Sequence, residues 1–555
     1  MDTNALAELL FSHITRVPAD YEALYPPRNL PEGARVTRMA PSPTGFLHIG
    51  ALFGAMTDER TAHLSDGGVL YLRLEDTDAK REVPGAAAAF IRNFARYGIR
   101  FDEGAVLNDA GEVTDAGAYG PYRQRARAEI YQCFAKELVR MGRAYPCFCT
   151  EEELTAMRER QEAQKVTPGY WGEWAVWRDA PLEKVRAALA EGRSYVVRFK
   201  SLGDPARRIQ VDDGIKGKLD LPENDQDIVL LKSDGIPTYH FAHVVDDHLM
   251  RTTHVVRGEE WVATLPVHVE MFRAFGWKLP KYNHTATIMK LDGGSKRKIS
   301  KRKDPEADLL WYAREGYPAA SVREYVMTLL NSNFEDWRRA NPAEPLEAFP
   351  FSLKKMSVSG ALFDLTKLAD VSKNVVARMK APEVYAQALA WAQEFDPAFA
   401  AQLSRDPAYA TAILNIGRED KKPRRDYGTW SELPSYMSFF FDETFTPGNA
   451  YPEKLTADDI RAIFDGFTAS YDPADDSAAW FDKLKAIAVS LGLAPDTKTF
   501  TKSPEAYRGH VGDVSMVLRI AVTGRENAPD LYTVMQLLGR GRTLARIAAA
   551  REKLA

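Results

Sequence analysis

RVTRMAPSPTGFLHIGA, residues 35–51, is the stretch whose reading decides the fold. Arg35–Met39 alternates like a short strand, and Pro41-Ser42-Pro43-Thr44-Gly45 breaks it. A helical pattern then runs from about His48 to Leu64. A strand that feeds a helix through a proline- and glycine-rich turn is one half of a βαβ unit. The second half follows at once. GGVLYLRLED (67–76) reads as a strand, and PGAAAAFIRNFARYGI (84–99) as a helix stopped by Gly98. Alternation of this length predicts an α/β domain built on a parallel sheet.

From Tyr122 the pattern changes. RAEIYQCFAKELVRMG (127–142) is an amphipathic helix ended by Gly142. TEEELTAMRERQEAQK (150–165) opens with a capping box, Thr150 and Glu153. SYVVRFK (194–200) and QDIVLLKSDGIPTYHF (226–241) look strand-like, the second folded as a hairpin at Asp234-Gly235. This block reads as an insertion in the α/β domain. A further strand–helix unit lies in THVVRGEEWVATLPVHVEMFRAFG (253–276), and beyond about residue 305 the chain reads mostly helical. Residues 1–34 read as one short helix and a proline-rich link, YPPRNLPEGA.

Composition narrows the class. The chain has 555 residues, 45% apolar and 27% charged, which suits a multidomain globular protein and excludes collagen-like or low-complexity chains. No apolar run approaches the roughly 18 residues of a membrane span, and no secretory signal opens the chain. Three cysteines cannot build a disulfide framework, so a reducing, cytoplasmic setting is expected. The net charge of −4 leaves room for a basic nucleic-acid-binding face. The motifs G-x-x-x-x-G-K-[ST], H-E-x-x-H and G-x-S-x-G are absent.

Two segments carry chemistry. In the first, His48 and Gly50 stand at the start of a helix that follows a parallel strand. There unpaired N–H groups and the helix dipole favour phosphate, and an imidazole can donate to a phosphoryl oxygen. An incidental histidine cap would look the same. In the second, GGSKRKISKRKD (293–304), Lys298, Ser300 and Lys301 lie in a cationic loop suited to closing over a polyphosphate. A solvated basic loop is the plain alternative for that run alone.

Together, the two motifs resemble the paired signatures of class I aminoacyl-tRNA synthetases. LRLEDTD (72–78), GIPTYHFAHVVDDHL (235–249) and VVRGEEW (255–261) narrow the resemblance to the bacterial-type glutamyl-tRNA synthetase family. It covers residues 35–330 in detail and the C-terminal part more loosely, through FDLTKL, LRIAVTG and LLGRGRTLARI. It implies a Rossmann-like catalytic domain (35–122 and 233–305) interrupted by an acceptor-end-binding insertion (123–232). A helical stem-contact domain (306–370) and an all-helical anticodon-binding domain (371–555) would follow, with 1–34 as an N-terminal extension. Arg38, Ala40, Ser42, Glu75, Tyr239, His243 and Arg257 would hold glutamate. His48, Gly50, Glu260, Trp261, Ser300 and Lys301 would hold ATP. His48, Gly50, Lys298 and Lys301 would assist catalysis. The implied partners are tRNA-Glu, L-glutamate and ATP with Mg²⁺, acting on a monomer without a membrane.

The chain also departs from the family pattern. Ala51 replaces a second histidine, His243 stands where a related pattern has asparagine, Ile299 replaces methionine, and residues 1–34 have no counterpart. Cys147-x-Cys149 resembles half of a zinc site, and Tyr170 could add a third donor, but Trp174 occupies the expected fourth position. A structural zinc needs four donors, so zinc is not expected.

Overall fold

A computed structural model describes residues 2–448 and 450–554. The chain divides into two compact units: residues up to Trp311 with Arg323–Asp364, and Tyr312–Val322 with the residues from Leu365 onward.

The first unit is built on the strand Val36–Met39. It pairs in parallel with Val69–Leu72, which pairs in parallel with Glu103–Leu107, and Val113–Ala116 closes that edge antiparallel. On its other side lies His254–Gly258, joined where the Thr253 amide donates to the Val36 carbonyl at 3.0 Å. His254–Gly258 pairs in parallel with Lys281–Thr285. Chain order therefore reverses at Val36–Met39, and a crevice opens beyond the carboxyl ends of the strands, where open α/β sheets bind ligands. The helix Ile49–His63 leaves from this edge.

The insertion forms a second, antiparallel sheet of Ala144–Cys147, Val196–Phe199 and Val229–Leu231. Segment 226–241 folds back at Asp234-Gly235 as expected, though the returning arm is short. After Gly235 (φ 76°) the Lys232 amide donates to the Ile236 carbonyl and the Thr238 amide to the Leu230 carbonyl, both at 2.9 Å, on either side of the Leu231–Pro237 bridge. The chain then enters the helix Tyr239–Leu249. A hairpin unforeseen in the sequence, Arg208–Asp213 with Gly217–Pro222, packs beside Lys281–Thr285.

Residues 1–34 hold two helices, Thr3–Leu10 and Pro18–Leu24, rather than one. Pro18 occupies the first turn, where its missing N–H has no intrahelical partner to lose. The segment is tied to three parts of the unit. Lys136, nearly buried, donates to Glu8 at 2.9 Å and to the carbonyls of Phe11 (3.1 Å) and Ile14 (2.9 Å). Arg28 pairs with Glu103, and Glu22 meets both His248 (2.6 Å) and Arg251 (2.7 Å).

The second unit is helical, from Leu365–Arg378 to Leu531–Glu552. Gly539 interrupts the last helix with φ 75° and ψ 163°, a conformation that favours glycine. Among the described residues, no helix is long and apolar enough to cross a membrane.

Candidate active site

At the carboxyl edge of the sheet lies a cavity of about 430 Å³. It gathers Arg38, Ala40, Ser42, His48, Gly50, Glu75, Tyr239, Arg257, Glu260, Trp261 and Lys298 from segments more than 200 positions apart. Three of the sequence candidates, His243, Ser300 and Lys301, do not line it.

His48 caps the helix Ile49–His63, its Nδ1 accepting from the Gly50 amide at 2.9 Å. A Cβ at position 50 would sit 3.0 Å from that same Nδ1, so glycine leaves room for the histidine's own cap. Burial, then Lys301 and Lys298, push the imidazole down to about 4. At neutral pH it is therefore uncharged. With Nδ1 accepting, its proton sits on Nε2, which makes that nitrogen the ring's donor; the Ile299 backbone lies within its reach.

Ile288–Asp292 and Ser295–Lys298 form a hairpin turned at Gly293 (φ 56°) and Gly294 (φ 88°), two positive angles as a type I′ turn requires. Asp304 fastens the loop that follows. It accepts from the two terminal nitrogens of Arg297, at 2.6 and 2.7 Å, and from the Ser300 amide at 2.8 Å. Lys301 reaches back to the other motif, donating to the Phe46 carbonyl at 2.8 Å with its ammonium 4.6 Å from the Phe46 ring centre. The loop thus closes against the turn before His48, and Lys298 enters the cavity.

The two arginines differ. Arg38 is already paired: its Nε lies 3.2 and 3.1 Å from the two Asp247 oxygens, and Nη1 donates to the Val256 carbonyl. Arg73 also donates to Asp247, at 2.6 Å, and reaches Glu75 at 3.2 Å. Burial would raise Asp247, but Arg38 and Arg73 outweigh it and hold the carboxyl well below its usual range. Glu75 goes the other way, raised by burial against the pull of Arg73 and Arg38. Asp246, next in sequence, serves the start of the insertion through Arg127 (2.7 Å), Gln124 (2.9 Å) and Tyr131 (2.8 Å).

Arg257 is 8% exposed and has no carboxylate partner among the described residues. It contacts His284 (3.0 Å), His268 (3.2 Å), the Tyr239 hydroxyl (3.4 Å) and the Trp261 carbonyl (3.4 Å). Burial and Arg257 itself push His268 down, so that imidazole is neutral. Asp213 holds His284 from behind at 2.7 Å. Glu259, two positions on, pairs with Lys216 at 2.6 Å and not with Arg257. Tyr239 packs against Trp261, ring centres 4.1 Å apart.

His243 lies beneath Tyr239, fully buried, 2.7 Å from Asp247 and 2.9 Å from the Tyr282 hydroxyl. Burial pushes it down to about 3. It supports the wall and the Asp247 hub rather than facing the cavity. The sequence suggests Asp246 and Asp247 as helix-capping acids and gives Arg73 no role; the structure makes all three members of buried ion pairs. Their signal is two consecutive acids inside the otherwise apolar FAHVVDDHL, which need buried cationic partners.

Cys147 and Cys149 approach the Tyr170 hydroxyl at 3.3 and 3.6 Å. Among the described residues no group of three or more Cys, His, Asp or Glu gathers there, and Trp174 lines a cavity beside Cys149. The indole nitrogen cannot ligate, so these donors do not complete a tetrahedral zinc set.

Residues 35–369 match the family model for the catalytic domain of class I tRNA synthetases (E and Q), and residues 499–551 match an anticodon binding domain. The chain is 52% identical over 548 residues to the glutamate–tRNA ligase of Acetivibrio thermocellus, covering 99% of both chains. It is 47% identical to that of Sorangium cellulosum, covering 96% of this chain and 97% of the relative. The 99% coverage by the Acetivibrio thermocellus relative takes in most of residues 1–34, so that segment has a counterpart there. A crystal structure of a glutamate tRNA ligase from Elizabethkingia meningosepticum, in complex with its amino acid, superposes with a TM-score of 0.74 at 27% identity. It covers 94% of this chain and 100% of that one. This chain belongs to the glutamate–tRNA ligase family of class I tRNA synthetases.

Proposed function

We propose that this enzyme joins L-glutamate to tRNA-Glu in two steps at the cavity above the sheet. The observation that carries the reading is Arg257, a buried guanidinium on the cavity wall whose neighbours are neutral imidazoles, a phenol and a carbonyl. A buried cation without a counter-ion is costly unless a ligand supplies one. The side-chain carboxylate of glutamate fits, because a guanidinium fork pairs two oxygens. Glutamine would turn amide donors toward the arginine, leaving buried bonds unmade.

Glu75 is the partner for the substrate ammonium, which would draw its raised carboxyl into the ionised form. Arg38, Ala40 and Ser42 line the α-carboxylate end. That carboxylate attacks the α-phosphorus of ATP, and the bond to the β-phosphate breaks to release pyrophosphate. His48, through its neutral Nε2–H, and the lysine loop meet the charge that grows on the phosphates. Glu260 and Trp261 flank the adenosine. Asp304 is occupied by Arg297, so Mg²⁺ would ride on the ATP phosphates and water, as it usually does. The 2′-hydroxyl of the terminal adenosine then attacks the activated carbonyl and AMP leaves. Residues 123–232 would hold the acceptor end, 306–370 the stem and 371–555 the anticodon.

Aminoacylation of separate tRNA-Glu and tRNA-Gln transcripts, with glutamate and with glutamine, tests the reading. Charging of tRNA-Glu with glutamate and not with glutamine is expected, and the second transcript shows whether tRNA-Gln is charged as well. Preference for glutamine would overturn it.

A further inference from the structure

The opposite end of the same sheet carries a second cavity, of about 240 Å³. Arg35 precedes the strand Val36–Met39, while His254 and Lys281 begin the two strands beside it, so three adjacent strands each present a basic group at their amino ends. Arg60, from the last turn of Ile49–His63, and Lys354, from the segment after Phe351, complete the lining. No aspartate or glutamate is among the lining residues. We propose that this cleft binds a small phosphate-class oxyanion, of inorganic phosphate to pyrophosphate size.

Three observations carry the assignment. Among the described residues, no side chain pairs with Arg35, Lys281 or Lys354. Arg60, 6% exposed, spends Nη2 on the carbonyls of Glu347 (2.7 Å) and Phe349 (3.0 Å), yet its buried Nε has no partner. The buried hydroxyl of its neighbour Thr61, which also lines the cavity, has none either. The two acids that act on Arg60, Glu59 and Glu347, are engaged elsewhere. Glu347 holds Arg323 at 2.9 Å, and Glu59 accepts from the Arg100 amide at 3.2 Å.

Compensation of the helix C-terminal dipole explains one cation, Arg60, but not Arg35, Lys281 and Lys354 beside it. Clustered cations with low-dielectric walls concentrate an anion-attracting field. That field already acts on His254, which burial, Arg35 and Lys281 together push down to about 4. An oxyanion between these groups supplies the missing counter-charge, with the guanidinium of Arg35 able to grip two oxygens. The cleft is separate from the catalytic cavity, since Arg35 and Arg38 stand at opposite ends of one strand.

Calorimetric titration of inorganic phosphate, then pyrophosphate, into the full chain tests this. Saturable phosphate binding is expected. The double variant Arg35→Gln/Lys281→Gln should weaken it by about 100-fold, each lost charge-assisted contact contributing roughly tenfold. Lys354→Gln, on an exposed loop residue, should weaken it by about tenfold and guards against a folding defect in the double variant. Lys301→Ala should leave phosphate binding unchanged. In the parent, the His254 ring proton resonances should report a raised pKa as phosphate is added. Parent-like binding in both cleft variants, absence of saturation, or loss of binding in Lys301→Ala would overturn the proposal. So would variants that weaken tRNA binding while leaving phosphate binding intact, which would make the cleft a nucleic-acid contact.

Discussion

Two helices of this molecule begin in the same way. His48-Ile49-Gly50 opens Ile49–His63, and His510-Val511-Gly512 opens Val511–Thr523 in the helical unit. In both, the imidazole Nδ1 accepts from the glycine amide two residues on, at 2.9 Å. The surroundings differ. His510 is braced by a capping box with Asp513, whose Oδ2 accepts from the His510 amide at 2.8 Å, and by the Phe500 ring at 5.4 Å. His48 has no such brace; it faces a cavity, with Lys298 and Lys301 near enough to depress it. The local motif makes a cap in either place. The lysine loop and the carboxyl edge of a parallel sheet turn one cap into a candidate phosphate donor.

The largest effect is expected in the cavity that His48 faces, at Arg257, which is buried there without a carboxylate partner among the described residues. Arg257→Gln should lower kcat/KM for glutamate by roughly 10³, since losing one partner of a buried charge pair costs several kcal/mol. It should also narrow the preference for glutamate over glutamine and leave the KM for ATP unchanged. Pyrophosphate exchange with tRNA present measures all three. Full preference for glutamate in the variant would show that the pocket is built on other residues.

The next effect is smaller and sharpens the contrast directly. His48→Asn keeps a side chain able to cap the helix but loses the imidazole donor, so the activation rate should fall by about 10². Lys301→Ala should fall by a similar factor while glutamate affinity holds. His48 also has a pH signature. Its folded pKa near 4 lies below the ordinary histidine value, so the unfolded chain binds more protons between about pH 6.5 and 4. The stability linked to neutral His48 is present above that window and is lost as pH falls through it. His48→Asn should flatten this part of the acid limb in thermal melts at a series of pH values. An unchanged acid limb would mean that the imidazole is not held neutral.

His510→Ala belongs to stability alone. Loss of a helix cap costs about 1 kcal/mol, so the melting temperature should drop while pyrophosphate exchange stays at the parent rate. A catalytic defect from this variant would erase the distinction between the two caps.

Much of this contrast was legible in the sequence, and the reasons are local. The strand, the Pro41–Gly45 break and the helix from Ile49 are read from spacing within some twenty residues, as is the cationic run near Lys301. The hairpin at Gly293-Gly294 was legible only as a loop, because strands rich in Lys and Arg carry no apolar alternation. The N-terminal helices were half-read, since Pro18 starts a helix although prolines nearby suggest extended chain. What spacing could not show is partnership across the chain. Asp247 holds Arg38 from 209 positions away, and His243, which the family resemblance assigns to the pocket, faces that carboxylate from below. Such pairings follow from strand order, which a single sequence does not display.

The smallest effect separates the two glycines. Alanine in place of glycine inside a helix gains about 0.5–1 kcal/mol by limiting the unfolded chain. At both positions the added Cβ meets the capping imidazole: 3.0 Å from His48 Nδ1 at position 50, but 2.4 Å from His510 Cε1 and 2.7 Å from its Nδ1 at position 512. At position 50 a shift of a few tenths of an ångström suffices, so Gly50→Ala should leave the melting temperature level or slightly raised. The imidazole moves all the same, and the activation rate should fall with it. At position 512 the ring must leave its place, and the lost cap offsets the helix gain, so Gly512→Ala should melt lower than Gly50→Ala at full activity. Paired melting curves and pyrophosphate exchange rates for the two variants decide it. If both lose activity, or neither does, the shared cap geometry and not its surroundings governs these histidines.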